Sequence, residues 1–190
     1  MKSKFEKWFS SESNLMKVKP LYGLRPYHNW IHVEKCLSLL ETRLKEFVTD
    51  ELLFAIVYHD VIYNPASKTN EEDSVSVAKL DLSGIGVNLN RIEKLILSTK
   101  HIHGFTTEDD EVQCMIDVDL SILGSSETEY IEYTKSIREE YSFVDYYDYS
   151  IARTEFLKKL LSRERIFYKL TELEAVARKN LYDEIVYLSR

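Results

Sequence analysis

The chain has 190 residues, 44% of them hydrophobic, which is enough to bury one substantial core. A formal net charge of −7 and a pI near 5.3 argue against a nucleic-acid polymer as partner, because binders of a phosphate backbone carry a basic footprint. The two cysteines, Cys36 and Cys114, form no CxxC pair, so neither a disulfide framework nor a thiolate zinc site is expected and a reducing compartment fits.

Residues 1–17 alternate charge with aromatics and hold no apolar stretch of signal-peptide length, so a cytoplasmic protein is expected. The longest near-continuous apolar run, Leu52 to Tyr58, falls far short of the roughly 18 residues of a membrane span, and no membrane partner is expected. Proline occurs only at 20, 26 and 65, and glycine only at 23, 84, 86, 104 and 124. Between these breakers the apolar residues recur at helical spacing: Ile31, Leu37, Leu40, Leu44 and Phe47 form one stripe, and Phe156, Leu157, Leu160 and Leu161 another. The reading is an all-α single-domain bundle spanning 1–190, with helices near 28–47, 50–62, 70–82, 88–101, 109–123, 127–142, 147–163 and 169–188. Asp50, Asn70 and Asn88 are expected helix caps. The tyrosine-rich stretch 142–150 lacks clean alternation and reads as helical or irregular, its aromatics serving a core, a dimer contact or a stack on a nucleobase.

Histidine is scarce and clustered. Four of the five fall in two pairs, His28 with His32 and His101 with His103, and the fifth, His59, directly precedes Asp60. In a helix His28 and His32 are one turn apart and aim both rings into one cavity. His59 and Asp60 end the apolar run LLFAIVY, where a buried imidazole and carboxylate are costly without a partner; a metal ion is an efficient one.

The order of His32, then His59-Asp60, then a later aspartate resembles the H…HD…D signature of the HD superfamily. The resemblance extends, in order, through RPYHNWIHV (25–33), YHDVIYNP (58–65), NEEDSV (70–75), STKHIH (98–103), DVDLSILG (117–124), REEY (138–141) and ARKNL (177–181), which are similar to a bacterial branch of predicted metal-dependent HD phosphohydrolases. It implies an HD-type helical bundle in which His32, His59, Asp60 and Asp119 hold a divalent cation. Asp117 is the rival for the last position. Two residues apart on a helix, the two carboxylates point about 200° apart, so both do not face one ion.

An imidazole and carboxylate donor set suits Mn, Fe, Co, Ni, Zn or Mg, and four protein ligands leave positions for a water and a phosphate oxygen. The implied substrate is a small phosphorylated compound, nucleotides included. Glu71 and Glu72 are both candidates for the general base, and as helix-start carboxylates they also suit the helix dipole. His28 is the candidate general acid, the role its counterpart has in the similar YHNxxH motif of cyclic-nucleotide phosphodiesterases. Arg25, Lys100 and His103 suit the substrate phosphate, whereas His101 reads as a solvated helix end. Tyr27, Asn29 and Asn70 are candidates to orient ligands, cap a helix or pack in the core. Arg138, Tyr141, Arg153, Arg178 and Asn180 match the same branch and read either as interhelical pairs or as pocket walls. A metal- and nucleotide-binding sensor and a dinuclear-iron oxygenase are the competing readings.

Overall fold

In the computed structural model, which describes residues 3–100 and 106–190, the apolar repeats fold as helices, and no strand forms among the described residues. Two short helices, α1 (Lys4–Phe9) and α2 (Glu12–Val18), precede α3 (Trp30–Arg43), α4 (Asp50–Tyr58), α5 (Asn70–Asp81) and α6 (Leu89–Leu97). The chain continues with α7 (Asp110–Asp119), α8 (Glu127–Glu140), α9 (Tyr146–Leu161) and α10 (Glu174–Leu188). One continuous apolar core runs from Phe5 to Leu181, so the fold is an all-α single domain.

Helix α4 lies at the centre, packed by α1, α3, α5, α6 and α7. This placement explains its composition, because a helix covered on every side needs no polar stripe: every residue from Leu52 to Tyr58 is buried. On α3 the expected stripe is half right. Leu37, Leu40 and Leu44 are buried, but Ile31 is 62% exposed.

Helix ends depart from expectation for local reasons. The helix expected from 28 begins instead at Trp30, because extended Asn29 (φ −114°, ψ −178°) caps it, its side-chain oxygen accepting from the N–H groups of Ile31 and His32. His28 therefore lies outside the helix that carries His32. The helix expected over 50–62 stops at Tyr58. There the His59 ring Nδ1 takes the Ile56 carbonyl at 2.9 Å, competing with the backbone. Thr49, not Asp50, caps α4, its hydroxyl accepting from Leu52 N–H. Asp50 reaches across to α1 and accepts from the N–H groups of Lys4 and Phe5, each at 3.0 Å. Asn70 is the first residue of α5, and instead of capping it ties down Asn64, accepting from its N–H and donating to its carbonyl. Asn88 caps α6 as expected.

Helices α1 and α2 were not expected. Ser3 and Glu6 form a reciprocal capping box that starts α1, and Phe5 and Trp8 bury themselves against α4. Gly23 (φ +56°) then turns the chain into the segment that carries Tyr27 and His28, a conformation only glycine adopts at low cost. Gly124 has a different reason: a Cβ there would lie 2.6 Å from the Leu173 Cβ, so its hydrogen lets the turn after α7 pack against the turn before α10.

Candidate metal centre

Three chain segments bring four side chains to one point. His32 stands in the first turn of α3, His59 and Asp60 follow the end of α4, and Asp119 is the last residue of α7. One donor atom from each lies within 4.8 Å of all the others. The His32 and His59 Nε2 atoms are 3.2 Å apart; His59 Nε2 is 3.0 Å from Asp60 Oδ2, and His32 Nε2 is 3.2 Å from Asp119 Oδ1.

The donor chemistry fits a cation. His59 Nδ1 faces the Ile56 carbonyl, so that atom carries the proton and the Nε2 lone pair points at the other three groups. Lone pairs of two imidazoles and two carboxylates converging at this spacing repel one another unless a proton or a metal ion sits among them. Burial disfavours the charged His59 ring, yet the neighbouring Asp60 and Asp119 carboxylates raise its pKa well above the ordinary imidazole value. Burial likewise opposes Asp60 ionisation, and His59 and His28 outweigh it, holding its carboxyl below the usual range. His32 and His59 are buried, whereas the Asp60 and Asp119 side chains are each 14% exposed, so solvent reaches the group from the carboxylate side. These four side chains are within ligating distance and can hold a metal ion.

Asp117 is placed elsewhere. Fully buried, it accepts backbone N–H groups of Tyr168, Lys169 and Leu170 at 2.6–3.1 Å and anchors the segment before α10. Burial raises its pKa despite those bonds.

His28 adjoins the group, its ring centroid 6.2 Å from that of His32. Its Nδ1 lies 2.6 Å from Glu140 Oε2, and Glu140 Oε1 accepts the N–H groups of Tyr27 and His28, each at 2.8 Å. The Tyr63 ring stacks on His28 at 3.9 Å, so carboxylate and ring together fix the imidazole. Burial opposes ionisation of Glu140, yet its bond to His28 keeps it below the ordinary carboxylate value. Neither Glu140 nor Tyr63 was singled out from sequence. Glu140 stands 112 positions from His28 at the end of a charged helix, and only its inclusion in REEY hinted at more than a solvated face.

Arg25 is turned toward the backbone, with Nη1, Nε and Nη2 donating to the carbonyls of Asp60, Tyr22 and Leu21. It thus braces the turn that presents Asp60. Tyr27 packs between the His32 ring at 5.1 Å and Tyr133 at 4.6 Å. Lys100 pairs with Glu72, and Glu71 is half-buried in the first turn of α5. Glu71, Glu72 and His28 do not belong to the four-residue group. His101 and His103 lie outside the described residues.

The remaining candidates serve packing. Arg153 makes a buried pair with Glu184 (Nε to Oε1, 2.8 Å), to which Tyr130 also donates. Arg138 donates to the carbonyls of Tyr141 and Val144, Arg178 to those of Leu161, Arg163 and Glu164, and Asn180 to those of Leu123 and Ser125.

The chain matches no protein-family model, no curated protein and no solved structure. Its chemistry is therefore argued from the four-residue group and its surroundings.

Proposed function

We propose that this protein is a metal-dependent phosphohydrolase acting on a small phosphate ester or nucleotide, with one divalent cation held by His32, His59, Asp60 and Asp119. The observation that carries the reading is the convergence of two imidazoles and two carboxylates within 4.8 Å, open to solvent on the carboxylate side. The order of these residues along the chain, which resembles the HD superfamily signature, supports it.

A divalent cation in this place supplies a Lewis acid for phosphate and a water of lowered pKa. The chain's own groups do the rest. Arg25 and the Ile56 carbonyl hold Asp60 and His59 in position, which reduces reorganisation when the cation binds. Glu140 orders His28 through Nδ1, which leaves Nε2 as the ring atom to pass a proton to a leaving oxygen. Glu71 and Glu72 remain the candidates for drawing a proton from water, Glu72 being paired with Lys100. Lys100 and His103 are the candidates for the substrate phosphate.

The test is a screen of phosphorylated metabolites with Mn, Mg, Co, Ni and Zn beside an Asp60→Ala control. Turnover with at least one metal is expected, falling by at least about 100-fold in the control, the scale on which metal-site disruption acts. Activity that survives in Asp60→Ala sinks the assigned centre. Tight nucleotide binding without product under any metal replaces the enzyme with a sensor.

A further inference from the structure

Helix α8 has two working faces. Tyr133 and Glu140 point inward toward Tyr27 and His28, whereas Ile131 and Arg138, on the opposite side, line a cavity of about 650 Å³ closed by α9 and α10. That volume falls in the range of small-molecule sites, roughly 300–1,000 Å³. None of the four residues of the metal group lines it.

The cavity holds one charge that no opposite charge neutralises. The half-buried Arg138 guanidinium lies over the rings of Tyr149 and Tyr146, 4.8 and 5.9 Å from their centroids. It donates from Nη1 to the Tyr141 carbonyl at 2.6 Å and from Nη2 to the Val144 carbonyl at 3.0 Å. Carbonyls accept hydrogen bonds but carry no unit charge, and among the described residues no carboxylate pairs with Arg138. The carboxylates of the lining are spoken for or set at the surface: Glu184 binds Arg153, Asp183 binds Lys179, and Glu127 and Glu139 are exposed. A guanidinium has five N–H donors, so three remain for a ligand, in the planar fork that a carboxylate matches. The hydroxyls of Ser142 and Tyr146 line the same cavity, make no hydrogen bond among the described residues and add two donors. Around them the walls are apolar, with the Tyr187 ring 66% exposed at the rim.

We propose that the cavity between α8, α9 and α10 is a second ligand site, separate from the metal centre, that takes an aromatic monocarboxylate. The carboxylate accepts from Arg138, with Ser142 and Tyr146 as further donors, and the ring of the ligand lies against Tyr187, Ile131 and Leu188. The exposed Glu127 and Glu139 disfavour ligands of higher negative charge.

The probes are phenylacetate, its neutral isostere phenylacetamide, and acetate, which keeps the charge without the ring, each titrated calorimetrically into the full chain at pH 7. The expected result is one phenylacetate per chain, bound about tenfold or more tighter than the amide, the scale of hydrogen bonds to a charged group. Acetate binds weaker than phenylacetate by a similar factor, since it buries no ring. Arg138→Gln abolishes the preference for acid over amide. Tyr187→Leu instead weakens acid and amide alike, by about fivefold, with an unchanged circular dichroism spectrum, and decides the matter should Arg138→Gln disturb the fold. Equal affinity for acid and amide overturns the assignment, as does an acid preference that survives in Arg138→Gln or binding indifferent to Tyr187→Leu. Acetate bound as tightly as phenylacetate, or no binding of any probe, overturns it too. Because neither metal nor turnover is read, the outcome is independent of the hydrolase reading.

Discussion

Two aspartates separated by a single residue divide structure from chemistry at the end of α7. Asp119 faces the histidines, whereas Asp117, on the opposite side, closes three backbone N–H groups in the interior. Their substitutions are expected to have opposite signatures. Asp117→Ala orphans buried donors at about 1–3 kcal/mol each, so its urea midpoint falls sharply while metal per folded chain is retained. Asp119→Ala keeps its metal-free midpoint and loses bound metal. Elemental analysis beside urea denaturation checks both, and loss of metal in the first variant with retention in the second reverses the assignment. His59 and Asp60 were legible as a polar dipeptide closing an apolar run and His32 through its pairing with His28, whereas Asp119 was set apart from Asp117 only by the resemblance to the HD signature. Glu140 was not legible, since its meaning comes only from contact with a residue 112 positions away. Glu140→Gln keeps an oxygen for the N–H groups of Tyr27 and His28 but removes the charge that orients the ring. On the proposed hydrolase reading the expected loss is about 10–100-fold in kcat with unchanged metal content; a drop in metal content instead makes Glu140 a structural support of the centre.

At the scale of elements, the ends of helices were less legible than their existence, because caps are chosen by neighbours distant in sequence. Asp50 illustrates this: a good local cap by type, it caps α1 from the start of α4 while Thr49 serves its own helix. Asp109, which does cap α7, also carries an ionic load, binding Arg91 through both oxygens at 2.6 Å and Lys94 at 2.7 Å. The Arg91 guanidinium, with Lys94, holds its carboxyl well below the ordinary value. A depressed carboxylate pKa adds stability that is fully present above the unfolded value, near 3.9, and is lost progressively as pH falls from there through the lower folded-state value. Asp109→Asn keeps the cap and removes the charge, so its melting temperature should lie below that of the parent at pH 6. The gap should narrow progressively below about pH 5 and close only near pH 1. A gap constant across that window would mean that the ion pairs contribute nothing and that the loss lies in cap geometry.

For the whole molecule, the decisive fact is that the centre hangs on the ends of buried helices, so its geometry is only as firm as the core beneath it. Helix α4 delivers His59 and Asp60, and α1 covers it, with Trp8 against Phe54 at 5.4 Å and Tyr58 at 6.0 Å. Tyr22 adds a buried tie, its hydroxyl donating to the Val57 carbonyl at 2.7 Å, two residues before His59. Charge–aromatic alternation hid this opening segment in the sequence: its two short helices bury only Phe5, Trp8 and Val18 rather than a stripe, and the Ser3–Glu6 box is its one helical signature. If the segment belongs to the core, the chain unfolds as one unit. Trp8 and Trp30, linked through Phe5 and Phe9, report on that junction by fluorescence, while far-ultraviolet circular dichroism averages over all helices. The two probes should give coincident urea transitions. Trp8→Ala should lower the common midpoint by an amount worth about 3–5 kcal/mol, as for other buried aromatics, and leave the transitions superimposed. A fluorescence transition that runs ahead of the dichroism would show instead that the opening helices detach by themselves, and that the floor under His59 is laid by α3, α5, α6 and α7.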